Sequence, residues 1–182
     1  LQNFQTYFAK KEGSVTASFA GLHFTRELMK RMEIRGIDTA FVTMHTGLGC
    51  FREIDVEDLT KHKMDSDLIS VDTEAVQKVN KAKAEGRKIC AIGTSVQRVL
   101  ETATLTGGML KEYDGWTSKF IFPEHNFEVA NCMIANFYAP YSTMLMLTTA
   151  FGGYDNVMNA YDVALKEGYR FGLYGDAMLI ID

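Results

Sequence analysis

Apolar positions along the chain follow two different spacings. Short apolar or alternating runs predict strands at 37–45, 68–72, 87–93, 116–122 and 176–182. Segments in which apolar residues recur every three or four positions predict helices at 23–36, 73–86, 94–103 and 155–168. The polar stretch 56–67 favours a short helix or a loop.

Local signals mark the ends of these helices. Side-chain oxygens cap helix N-termini, and three residues stand where a cap is expected: Thr25, Ser142 and Asp155. Glycine adopts the left-handed conformation that ends a helix, and one glycine follows each of three helical patterns: Gly36, Gly86 and Gly168.

Strands that alternate with helices predict an α/β fold. We expect residues 1–182 to form a single α/β domain, a three-layer sandwich with a largely parallel or mixed sheet and helices on both faces. In such sheets ligands bind beyond the carboxyl ends of the strands. Two loops stand there: one carries His45, and the other runs through Gly93 and Thr94. We therefore expect the His45 imidazole and the amides near Thr94 to border one cavity.

Composition narrows the class of protein. Hydrophobic residues make up 47% of the chain and charged residues 23%, which is typical of a globular domain. The net charge of −4 gives no general basic field, so any contact with nucleic acid needs a local patch or another part of the protein. Cys50, Cys90 and Cys132 stand far apart without a CxxC, which indicates a reducing cytoplasm and no structural metal.

One apolar run, 133–151, is about as long as a membrane span. It contains Asn136, Pro140 and Ser142, so a buried core segment is the better interpretation and no membrane association is expected. The chain begins at Leu1 and its first residues are typical of the middle of a protein, which suggests a fragment.

The segment "HTGLGCFR" (45–52) combines an imidazole, two glycines and a guanidinium. Gly47 and Gly49 allow the backbone to approach a ligand closely, and Arg52 could pair with a carboxylate or phosphate. The GxG spacing is a weak signal, because no third glycine opens a helix. A tight turn with a structural histidine explains the same residues.

The segment "IGTSVQRVLE" (92–101) predicts a strand, a turn and a helix start with free amides. Thr94 and Ser95 could there hold an anionic group, or they could simply cap the helix. Arg98 and Glu101 stand one turn apart, which favours a local ion pair.

The histidines, His23, His45, His62 and His125, show no HxxxH or HxH spacing, which argues against a metal site. Any of them could act as a general base near neutral pH, although a lone histidine is more often structural. Asp176 could hydrogen-bond a ribose or cap a turn.

Seven strings together resemble one family, and they span nearly the whole chain in that family's order: "GSVTASFAGLHFT" (13–25), "VTMHTGLGCFREI" (42–54), "HKM" (62–64), "AIGTSVQRVLE" (91–101), "FIFPE" (120–124), "NFYAPYSTMLMLTTAFGG" (136–153) and "YRFGLYGDAMLI" (169–180). On these the chain is identified as a member of the S-adenosylmethionine:tRNA ribosyltransferase-isomerase family of queuosine biosynthesis. "AGLHFT" and "YGDAMLI" are the most specific of them.

The resemblance implies an activity. The family transfers and isomerises the ribosyl part of S-adenosylmethionine onto 7-aminomethyl-7-deazaguanine in tRNA, which gives epoxyqueuosine and releases adenine and methionine. A base must remove a proton from the ribose 5′ carbon, which the sulfonium acidifies. S-adenosylmethionine is the co-substrate, tRNA carrying the deazaguanine precursor is the partner, and no metal is required.

The resemblance also implies site residues. The candidate bases are His23, His45 and His62. Substrate binding is expected from residues that the matching strings retain or that open the third predicted helix: Thr25, Gly47, Gly49, Arg52, Thr94, Ser95, Arg98, Glu101, Asn136, Ser142, Thr143 and Asp176.

The chain departs from the family pattern within these strings. The substituted positions are Ser18 for proline, Asp65 for histidine, Asp67 for glutamate, Val96 for serine, Ala135 for threonine, Tyr138 for histidine and Tyr141 for lysine. A diverged paralogue that binds S-adenosylmethionine or RNA without this catalysis is therefore the alternative interpretation.

In this family a β-barrel is inserted ahead of the first string, and it is absent from this chain. The resemblance thus predicts the C-terminal catalytic part of a longer, cytoplasmic enzyme that is monomeric at full length.

Overall fold

The computed structural model describes residues 4–181. Its helices are α1 (Arg26–Ile34), α2 (Thr73–Ala84), α3 (Thr94–Thr102), α4 (Thr143–Gly152) and α5 (Tyr154–Lys166). Its strands are β1 (Thr43–His45), β2 (Asp67–Val71), β3 (Cys90–Ile92), β4 (Tyr113–Thr117), β5 (Cys132–Asn136) and β6 (Ala177–Ile181). Single turns of 3-10 helix occur at Ala20–His23, Leu48–Phe51 and Leu59–Lys61.

The strands form two small sheets. The first sheet has the order β1-β2-β4 and is antiparallel, with β2 in the centre. In the second sheet, β5 pairs with β3 in parallel and with β6 in antiparallel orientation. The predicted α/β class is confirmed. Of the two predicted sheet types, largely parallel or mixed, the second sheet is mixed, while the first sheet is antiparallel and matches neither.

Two predicted strands have different boundaries in the structure. Strand β2 has five residues and ends at Val71, because Asp72 caps α2 by accepting a hydrogen bond from the Ala75 amide. Strand β4 ends at Thr117, opposite Asp67, the first residue of β2, whereas β1 begins at Thr43, opposite Ser70. The predicted strands 37–45 and 116–122 thus reduce to three residues of β1 and to the end of β4.

Most predicted helix ends are confirmed. The hydroxyl oxygens of Thr25 and Ser142 accept hydrogen bonds from the amides of Leu28 and Leu145, respectively. Gly36, Gly86 and Gly168 all have positive φ. The Asp155 cap is wrong, because Gly153 separates α4 from α5 and places Asp155 in the first turn of α5.

One buried core joins the two sheets. Ile69 of β2 and Met133 of β5 are both 0% exposed, and Val99 of α3 lies in the same cluster. The apolar run 133–151 lies in β5 and α4, so its interpretation as a core segment is confirmed. No helix among residues 4–181 is long and apolar enough to cross a membrane.

Candidate functional site

The loop after β1 is held by a buried ion pair. The Gly47 amide donates a hydrogen bond of 2.7 Å to the Asp67 carboxylate. The Arg98 guanidinium donates to the other oxygen of Asp67, and both side chains are only 4% exposed. Arg98 also donates to the carbonyl oxygens of Thr117 and Lys119, at 2.9 and 2.8 Å. Arg98 therefore ties α3 and β4 to the start of β2.

One of the two glycines of this loop, Gly49, is required by a close packing contact. A Cβ on Gly49 would collide with the Asp65 carboxylate, which passes directly beside it. Asp65 accepts a hydrogen bond of 3.0 Å from Arg52, in an ion pair that is largely exposed to solvent. The two aspartates that replace the family's histidine and glutamate thus each contact an arginine.

Glu101 faces away from Arg98, so the expected ion pair between them is wrong. Glu101 is 5% exposed, and its Oε2 lies 3.0 Å from Nε2 of His125. Its Oε1 accepts a hydrogen bond from the Glu128 amide at 3.2 Å. In this arrangement Glu101 orders the loop that carries His125.

His23 meets Asn136 at the end of β5. Nε2 of His23 lies 3.2 Å from Oδ1 of Asn136, and Nδ2 of Asn136 donates to the Gly172 carbonyl oxygen at 3.0 Å. The Gly172 carbonyl oxygen can only accept a hydrogen bond, so the NH₂ group of Asn136 must face it. Oδ1 of Asn136 therefore faces His23, and because this oxygen has no hydrogen to donate, Nε2 of His23 is the donor. The proton of neutral His23 then sits on Nε2, which leaves Nδ1 as a proton acceptor.

Asp176 closes a turn beside this pair. Its Oδ2 accepts a 2.7 Å hydrogen bond from the Arg170 amide, which is the main cause of the lowered pKa of its carboxyl. The charge of nearby His23 lowers that pKa a little further. The turn-capping interpretation of Asp176 is therefore realised, and the carboxylate also lies within electrostatic reach of His23.

A large cavity opens at the start of α3. It has a volume of about 710 Å³, within the usual range for small-molecule sites. Gly93 has a φ of 102°, and a Cβ there would contact Ala20 and Ser18 at 3.5 Å. The segment that contains Ser18 and Ala20 therefore packs over the N-terminus of α3. Four predicted binding residues line this cavity: Thr94, Ser95, Arg98 and Thr143.

Hydroxyl side chains are among the polar groups that line the cavity. The hydroxyl of Thr143 is buried and has no hydrogen-bond partner within the described part of the chain. Tyr138, which lines the same wall, is 2% exposed, and its burial raises the pKa of the phenol. Its hydroxyl lies 3.5 Å from that of Thr94. The cavity therefore offers a ligand hydroxyl groups as well as the amides at the start of α3.

The three candidate bases lie in different surroundings. His45 borders a smaller cavity, of about 310 Å³, together with Gly47. Its neighbour Thr46 lines the large cavity, but the His45 side chain does not, so the expectation that His45 and Thr94 share one cavity is wrong. His62 packs against Phe120, with ring centroids 4.6 Å apart. Only His23 has its ring oriented by a buried amide.

Other chemistry near the site is limited. Cys50 follows Gly49, and its burial, assisted by the charge of Asp67, raises the pKa of the thiol to about 11. The thiol is therefore protonated at neutral pH and is a poor nucleophile. No group of three or more His, Cys, Asp or Glu side chains in residues 4–181 is arranged to hold a metal ion.

Sequence reasoning missed the roles of Asp67 and Trp116. Asp67 holds both Gly47 and Arg98, and its signal was an acidic residue at the start of an apolar strand. Trp116 borders the same small cavity as His45, although 71 positions separate them in the sequence. Only the register of β1, β2 and β4 brings them together.

Curated relatives match the chain along its whole length. It is 68% identical over 181 residues to the S-adenosylmethionine:tRNA ribosyltransferase-isomerase of Phocaeicola vulgatus, covering 100% of this chain and 52% of that protein. The protein of the same name from Clostridioides difficile is 47% identical over 98% of this chain and 52% of its own length. The chain therefore spans about half the length of these relatives.

A solved structure shows the same fold. The crystal structure of S-adenosylmethionine tRNA ribosyltransferase from Thermotoga maritima superposes with a TM-score of 0.72 at 36% identity, over 89% of this chain and 51% of that one. The model of the queuosine biosynthesis protein family matches residues 1–180. The chain belongs to the queuosine biosynthesis protein family.

Proposed function

We propose that the full-length protein containing this chain is an S-adenosylmethionine-dependent tRNA ribosyltransferase-isomerase. It moves the ribosyl part of S-adenosylmethionine onto 7-aminomethyl-7-deazaguanine in tRNA, which yields epoxyqueuosine, adenine and methionine. Family membership supports the reaction class, and the relatives at 68% and 47% identity carry that name. In the complete enzyme we expect the two sheets to form part of a three-layer sandwich.

The observation that carries the catalytic part of the proposal is the hydrogen bond between His23 and Asn136. The reaction needs a base beside the ribose 5′ carbon. His23 is solvent-accessible, and its free Nδ1 is fixed by the chain of contacts from Gly172 through Asn136. Asp176 lies nearby, since the charge of His23 is one of the causes that lower the pKa of its carboxyl. We therefore assign the base to His23, with Asn136 as the positioning residue.

The large cavity is the proposed site for the methionine end of S-adenosylmethionine. Its carboxylate would bind at the amides of Thr94 and Ser95, where the positive end of the helix dipole favours an anion. The unpartnered Thr143 hydroxyl could complete the hydrogen bonds of that group. Arg98 is already engaged by Asp67 and by backbone carbonyls, so its proposed role is to hold the wall in place.

The test uses the full-length protein with precursor-modified tRNA and measures adenine released from S-adenosylmethionine. We expect His23→Ala to lower turnover by roughly 10²- to 10⁴-fold, the usual contribution of a general base. His62→Ala serves as the matched comparison, because its ring packs against Phe120, and we expect a change of less than about tenfold.

Two outcomes would count against the proposal. A His23→Ala enzyme with nearly full turnover would remove the base assignment. A wild-type protein that binds S-adenosylmethionine in calorimetry but releases no adenine would favour the diverged, non-catalytic alternative.

A further inference from the structure

Three side chains form a row across the first sheet. His45 of β1 lies opposite Leu68 of β2, and Leu68 lies opposite Trp116 of β4. Residues in register on neighbouring strands share a face, so all three point the same way. The next row, Met44 and Ile69, points to the opposite face, where Ile69 is fully buried. The row with His45 therefore lies on the outer face.

Trp116 is displayed on this face instead of being buried. It is the sole tryptophan of the chain and is 66% exposed. Its backbone is well held, because it pairs with β2 and its carbonyl oxygen accepts a 3.0 Å hydrogen bond from the Tyr113 hydroxyl. A large flat apolar ring on a rigid strand is a suitable stacking surface.

The small cavity beside Trp116 is bordered by groups that suit a planar ring. Two strand spacings separate His45 from Trp116, roughly 10 Å, with Leu68 as an apolar floor between them. Gly13 and Gly47 border the cavity without side chains, and a Cβ on Gly13 would come within 2.7 Å of Nδ1 of His45. The imidazole has no hydrogen-bond partner among residues 4–181 at that buried nitrogen.

We propose that this cavity binds a planar nucleobase, stacked on Trp116 and hydrogen-bonded by His45. The carboxylate of Glu12, which borders the same cavity, would accept from the amino or ring N–H groups of the base. A stacking site also suits a chain with a net charge of −4, because stacking needs no basic field. The proposal rests on the proposed function, which supplies two bases of this chemistry: the adenine of S-adenosylmethionine and the deazaguanine of tRNA.

The test measures equilibrium binding of S-adenosylmethionine and of precursor-modified tRNA to the full-length protein, each in a separate arm. Losing one base–aromatic stack should weaken binding roughly 5- to 150-fold, so we expect Trp116→Ala to raise the Kd of one ligand by that factor. Trp116→Phe should retain most of the affinity. The arm that responds identifies which base occupies the cavity.

Tyr154→Ala is the control, because Tyr154 is an aromatic residue of similar exposure, 59%, on α5.

The readout is binding, so it is independent of turnover and separates this proposal from the proposed function. A Trp116→Ala protein with wild-type Kd for both ligands would overturn the base site, even if the enzyme is active. The proposal is equally overturned if Trp116→Ala and Tyr154→Ala weaken binding by the same factor, or if Trp116→Ala lowers the thermal midpoint without changing either Kd. If the wild type has no turnover but Trp116→Ala still raises the Kd of one ligand, the base site is upheld and the proposed enzymatic function is rejected.

Discussion

The two sheets hold their candidate residues by different means. At the first sheet, a buried ion pair between Asp67 and Arg98 fixes the loop that follows His45. At the second sheet, a neutral amide, Asn136, fixes His23. Aromatic packing supports that end of β5, where the ring centroids of Phe137 and Tyr161 lie 5.2 Å apart.

The buried ion pair and the neutral hydrogen bond suit different roles in a site. A buried ion pair gives fixed geometry, but each charge depends on the other, because neither is solvated. A neutral hydrogen-bond chain orients an imidazole and still allows it to gain a proton. We infer that the first sheet shapes the walls of the site, whereas the second sheet carries the proton transfer.

The largest expected loss of unfolding free energy comes from breaking the buried ion pair, and an exposed ion pair provides the comparison. Arg98→Met leaves the Asp67 carboxylate buried without a counter-charge, which should cost about 3–5 kcal/mol of unfolding free energy. Arg52→Met removes the same kind of contact at a largely exposed pair with Asp65, which should cost about 0–1 kcal/mol. Chemical denaturation of the full-length variants measures both. Equal losses would show that burial does not distinguish the two ion pairs.

The local signals placed β2 and β6 to within one residue, but they missed β5, the central strand of the second sheet. The segment 87–93 and the turn at Gly93 were foreseen because a short apolar run, a glycine and a helical pattern follow one another there. The predicted strand 37–45 is longer than β1, because only Thr43–His45 pair with β2. Pairing partners are not encoded in local periodicity.

In the candidate site, too, local contacts were predicted and long-range contacts were not. Thr25 and Ser142 were foreseen as caps, because the hydrogen bond of a cap spans three residues. The contact between His23 and Asn136 spans 113 residues, and periodicity alone gave no reason for it. Resemblance to a family brought the two residues into one candidate set, and only the fold showed that one orients the other.

A smaller loss of unfolding free energy is expected when the N-cap residue of α4 or of α2 is replaced. Ser142 is 8% exposed, and without its hydroxyl the Leu145 amide loses its acceptor in a buried setting. Ser142→Ala should therefore cost about 2 kcal/mol, at the upper end for helix caps. Asp72 caps α2 at an exposed position, and Asp72→Ala should cost about 1 kcal/mol. Denaturation midpoints of the two variants measure the difference, and the reverse order would contradict the role given to burial.

The smallest effect concerns the pH dependence of stability at two carboxylates: Asp176, directly before β6, and Asp58, which caps the 3-10 turn Leu59–Lys61. A backbone hydrogen bond from Arg170 lowers the pKa of Asp176, and the Thr60 hydroxyl and amide lower that of Asp58. A lowered folded-state pKa stabilises the fold above the unfolded value, about 3.9, and that stabilisation is lost as the pH falls through the folded value. Asparagine keeps an accepting oxygen but does not titrate.

Asp176→Asn and Asp58→Asn should therefore each make stability fall less steeply below about pH 4 than in the wild type, while the curves near neutral pH stay parallel. Denaturation midpoints across a pH series give the slopes. If the Asp176 variant alone changed its slope, charge would matter more beside His23 than at the cap of the 3-10 turn. A slope that steepened in either variant would mean that the carboxylate is destabilising, and would reverse the sign assigned to its hydrogen bond.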